Sequence, residues 1–90
     1  MGKEVLEGRL FIFEEYEWWE ALITDKNKEE LLKELNKDSN TLKDPYEDQG
    51  DHIWRGNLRI DDLRKHGTLI RDILEKLHGR KVRITIEVIE

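Results

Sequence analysis

The sequence predicts an α+β fold: a small two-layer sandwich of two or three strands, the N- and C-terminal ones paired, with two or three helices packed on one face. Three observations predict it. Leu10, Phe11, Ile12 and Phe13 form a short apolar run near the start, which suits a strand at a sheet centre. Leu63, Gly67, Ile70, Leu74 and Leu77 fall on one helical stripe. Val82, Ile84, Ile86 and Val88 alternate with Arg83, Thr85, Glu87 and Ile89, the pattern of a half-buried strand.

Taken in order, residues 3–13 read as a strand or a pair of strands, with Gly8 marking a bulge or bend. Residues 14–23 are two-sided. Tyr16, Trp19 and Ile23 share a helical face, while Tyr16 and Trp18 also alternate with glutamates as in a strand; a short helix is the expectation. Asn27 followed by Glu30 has the form of a capping box and opens a helix to about Lys37, with Leu31, Leu32 and Leu35 inward. Residues 38–52, rich in Asp, Asn, Ser, Gly and Pro, read as a long acidic loop. Residues 53–60 suggest a short strand. Asp61 is placed to cap a helix reaching about His78, with Gly79 just beyond it. Gly67 sits inside that helix, which implies either a close approach to a sheet or a break with Thr68 as a second cap.

Ninety residues define a single domain spanning 1–90, with one core and no cleft between two bodies. Without cysteine the chain has no disulfide framework, thiolate nucleophile or Cys-ligated zinc. The N-terminal residues carry no apolar leader and the longest apolar runs are four residues, so the expectation is a cytoplasmic protein without a membrane span. Charged residues reach 41%, a composition that leans towards heat-adapted proteins.

The net charge of −5 is unevenly spread. Residues 1–50 carry seven Lys/Arg against fourteen Asp/Glu; residues 52–83 carry nine against four. Such asymmetry suits head-to-tail self-recognition or a nucleic-acid face. The plainer account is internal pairing of the arginines with the acidic half.

No pattern points to catalysis or to a cofactor. Asp62 and His66 stand i,i+4 on one helix, a spacing open to a metal but equally that of an ordinary charge pair. Residues 44–51 lack the ligand spacing of a calcium-binding loop, and no metal site is expected. Ser39, the one serine, sits in an Asp-Ser-Asn turn, and the glycines are isolated. The aromatic residues carry more. Tyr16, Trp18 and Trp19 lie together, and neighbouring tryptophans point in different directions, so either one packs inward and the other faces out as an interface anchor, or both are packed internally with the second covered by the long loop.

The expectation is therefore a non-enzymatic protein-interaction or regulatory module that self-associates as a homodimer, with Tyr16, Trp18 and Trp19 at its interface. The alternative is a nucleic-acid-binding regulator using Trp54, Arg55, Arg59, Arg64, Lys65, Arg71, Arg80, Lys81 and Arg83, where an aromatic platform with cations suits base stacking and phosphate contact. A further alternative is an acidic inhibitor whose Glu14–Glu20 run mimics nucleic acid.

Overall fold

β1 (Arg9–Glu15) and β2 (Trp18–Thr24) form an antiparallel hairpin closed by Tyr16 and Glu17, with Glu15 opposite Trp18 and Arg9 opposite Thr24. They lie at the centre of the sheet in this computed structural model, which describes residues 3–38, 47–49, 52–56 and 58–90, with backbone alone for 47–49. After α1 (Lys28–Asp38) come β3 (Glu47–Gln49) and β4 (His52–Trp54), then α2 (Ile60–Arg64), β5 (Thr68–Leu69) and α3 (Ile70–Lys76). The sheet order is β3-β4-β1-β2-β5; β4 runs parallel to β1 and every other pairing is antiparallel. The molecule is a small mixed α+β domain.

One face of the sheet makes the core. Phe13, Leu22, Ile53 and Leu69 from the strands meet Leu31 and Leu35 of α1, Leu58, and Leu63 of α2, with Phe11, Leu32 and Ile60 at the margin. The apolar spacing of α1 turns its leucines onto the sheet. Its start is fixed by Asn27, whose Oδ1 accepts from the Glu30 amide at 2.8 Å, a cap worth about 1 kcal/mol.

The expected helix over 14–23 is strand instead. Beside the apolar β1, a two-residue connection returns the chain directly, and burying Leu22 against the core outweighs the helical alignment of Tyr16, Trp19 and Ile23. The expected helix over 61–78 is two helices with β5 between them. Arg59, not Asp61, stands at the first N-cap, and Leu69, not Thr68, at the second. Gly67 explains the break: a Cβ there would collide with the backbone carbonyl of Ile23. The glycine lets the chain touch β2, where the Thr24 hydroxyl donates to the His66 carbonyl at 2.6 Å and Thr68 and Leu69 then pair with Ile23 and Leu22. Gly79, at φ 80°, follows the end of α3 in the left-handed region.

The long loop expected over 38–52 falls mostly outside the described residues; within it, 47–49 and the start of β4 belong to the sheet. The expected short strand over 53–60 is confined to β4, three residues long.

The largest departure is at the C-terminal end. The N- and C-terminal strands expected to pair do not. β1 has β2 on one side and β4 on the other, so the core strand that the last segment would join is already flanked. Residues 81–90 enter no ladder and are exposed throughout. Residues 3–7 likewise stand outside the sheet. The radius of gyration, 14.1 Å, exceeds the roughly 12 Å of a compact chain this long.

Candidate interaction surface

The face of the sheet away from the core is set by β alternation. Leu10, Ile12 and Glu14 of β1 stand opposite Ile23, Ala21 and Trp19 of β2, and Ile12 and Glu14 stand opposite His52 and Trp54 of β4. Leu10 is exposed, and Trp19 is 62% exposed. The His52 Nδ1 lies 3.0 Å from a Glu14 carboxylate oxygen.

The two tryptophans diverge as their adjacency requires. Trp18 is half-buried beneath the Arg55 guanidinium, whose Cζ is 3.8 Å from the ring centroid. Tyr16, 89% exposed at the hairpin turn, meets Trp54 edge-on with centroids 4.9 Å apart. The aromatic and cationic residues therefore pair across strands: Arg55 goes to Trp18 and Trp54 to Tyr16.

The arginines of the second half take several separate roles. The Arg55 side chain is 11% exposed and lies 3.7 Å from Glu15. Burial lowers its pKa against the pull of Glu15, Glu20 and Asp62. Arg64 grips Asp72 with two hydrogen bonds of 2.9 and 2.8 Å and reaches Asp61 at 2.8 Å. These bonds raise its pKa and lower that of Asp72. Arg71 donates to the buried Glu20 at 2.6 Å, which raises the Arg71 pKa, and approaches Glu75 at 3.5 Å. Arg59 is exposed beside α2, its amide bonded to Asp62 at 3.2 Å; Lys65 is 3.5 Å from the same residue. Arg80, Lys81 and Arg83 lie on the exposed C-terminal arm and form no ion pair among the described residues.

The histidine expected beside Asp62 has a different partner. The His66 Nε2 meets Asp38 Oδ2 at 2.5 Å, joining the end of α1 to the turn after α2. That bond holds the Asp38 carboxyl below its usual range. Among the described residues no group of three or more His, Asp or Glu is arranged to hold a metal ion, and no helix is long and apolar enough to cross a membrane.

The arm itself is the surface that sequence reasoning misplaced. Val82, Ile84, Ile86, Val88 and Ile89 are all exposed, Ile86 at 84% and Val88 at 88%. Their alternation is plain in the sequence, but its natural reading buries one face in the chain's own sheet. The arm's last residue, Glu90, reaches Arg9 at 2.8 Å, and both side chains are largely exposed. Val5 and Leu6 are exposed nearby in sequence. No protein-family model, curated protein or solved structure matches this chain.

Proposed function

We propose that this chain is a non-enzymatic protein-interaction module that associates with a second copy of itself. One observation carries the reading: residues 82–89 hold five β-branched apolar side chains, four of them (Val82, Ile84, Ile86 and Val88) at strand spacing, all exposed and none in a ladder. Water-exposed apolar surface of this extent is unusual on a monomer and marks a contact surface. Unpaired backbone donors and acceptors beside it make a template for strand addition. The exposed Trp19 and Leu10 on the open sheet face add aromatic and aliphatic anchors of the kind that interfaces bury.

Sedimentation equilibrium tests this directly. The expected result is an average mass that rises from the 10.8 kDa of one chain towards twice that value as concentration increases into the high micromolar range. A mass fixed at one chain throughout, in low and high salt alike, overturns it.

A further inference from the structure

Resting on that reading, we infer that two copies join through their C-terminal arms, paired antiparallel about a two-fold axis at Thr85. The arm is self-complementary in charge. Its first part carries Arg80, Lys81 and Arg83, and its second part Glu87 and Glu90. Centring an antiparallel pair on Thr85 sets Arg83 opposite Glu87 and Arg80 opposite Glu90, each contact occurring twice by symmetry. In the same register Val82 meets Val88 and Ile84 meets Ile86, so the apolar stripe of each arm continues across the join.

Other registers lose these matches. A one-residue slip sets apolar positions against polar ones, because side chains alternate with period two. Moving the axis to Ile86 places Val82 opposite Glu90 and Arg83 opposite Ile89. Moving it to Ile84 keeps one type of charge pair, Lys81 with Glu87, and places Arg80 opposite Val88. Parallel in-register pairing stacks Arg83 on Arg83 and Glu87 on Glu87, and like charges directly opposite are destabilising. Charge and apolar pattern together select the Thr85 axis.

The structure leaves the arm ready for this exchange. Arg80 and Arg83 have no carboxylate partner among the described residues, and Glu90 is held only by its exposed contact with Arg9. Such a surface pair is weak, so Glu90 passes to Arg80 of the second copy at little cost. A two-stranded ribbon alone is marginal in water. Its apolar face therefore needs a floor, and Leu10, next to the Arg9 where the arm already ends, stands exposed together with Val5 and Leu6.

Charge reversal with mixing separates this arrangement from other modes of self-association. R83E sets Glu against Glu87 and E87R sets Arg against Arg83, so each variant alone is expected to self-associate about tenfold more weakly than the parent chain. An equimolar mixture restores two opposed pairs and is expected to form a heterodimer near parental strength. In this cysteine-free chain, T85C provides a second readout. A residue on the axis faces its own copy at disulfide distance, so T85C is expected to cross-link under mild oxidation while I89C, opposite Lys81, does not. Variants that dimerise as the parent does, with no T85C cross-link, overturn the arm register and leave self-association standing. A monomeric parent chain overturns both. Far-UV circular dichroism confirms that each variant keeps its fold, since the substituted side chains are exposed.

Discussion

β2 and the C-terminal arm have similar local chemistry and opposite outcomes. Trp18–Thr24 combines aromatic and β-branched residues with one buried acid. Val82–Val88 is more regular, with a strict apolar alternation. Yet β2 is paired on both sides, to β1 and β5, and the arm on neither. β propensity measures the fit of side chains to a pleated, half-covered surface, and that surface has to be supplied by neighbours. β2 obtains it from a two-residue turn; the arm, following α3, enters no ladder among the described residues.

The same large-to-small change in the two regions gives the widest contrast. Phe13→Ala removes a wholly buried ring from the core and is expected to cost about 3–5 kcal/mol. Ile86→Ala removes a side chain that is 84% exposed and is expected to stay within about 0.5 kcal/mol. Urea unfolding at concentrations low enough to keep the chain monomeric checks both, and comparable losses would show the arm to be part of the core. Gly67→Ala probes how β2 gains its second neighbour. Its Cβ would press on the Ile23 carbonyl, and a loss of about 1–3 kcal/mol is expected from overpacking, with weaker amide protection at Thr68 and Leu69 in hydrogen exchange.

The smallest effect concerns the join between α1 and the turn after α2. The hydrogen bond with His66 lowers the Asp38 pKa beneath its ordinary value of 3.8. The stabilisation is therefore fully present above that value and is lost as pH falls through the lowered folded-state pKa. Urea midpoints followed from about pH 5 to about pH 2 should fall less steeply in Asp38→Asn than in the parent chain, the difference isolating this carboxyl from Asp72 and the other acids. Identical slopes would assign the acid sensitivity elsewhere.

Much of the fold was legible where local chemistry and tertiary context agree. Asn27 with Glu30 marks α1, and the leucine spacing of that helix names its buried face. Leu10–Phe13 marks β1. Gly67 signalled either a close approach or a break, and the structure has both at once. The hairpin was harder to see because its turn uses Tyr16 and Glu17 without glycine or asparagine. No non-glycine residue described has a positive φ, so the turn avoids the left-handed geometry that Asn-Gly announces. The pairing of Arg55 with Trp18, of Tyr16 with Trp54 and of His66 with Asp38 depends on strand order and helix placement, which spacing along the chain does not encode. In the arm the alternation predicts a half-buried strand, and the structure has neither the ladder nor the burial, since a pleated face is covered only where neighbours supply the surface.

The crowding around β1 carries one more consequence. With β2 and β4 at its sides, β1 offers the arm no open edge, and the edges the sheet keeps lie at β3 and β5. Among the described residues the ion pair that holds the arm is the exposed contact of Glu90 with Arg9, so in the proposed pairing only that surface contact is exchanged when two arms meet. In the proposed pairing, the joined fraction is then expected to rise with concentration and to fall again on dilution.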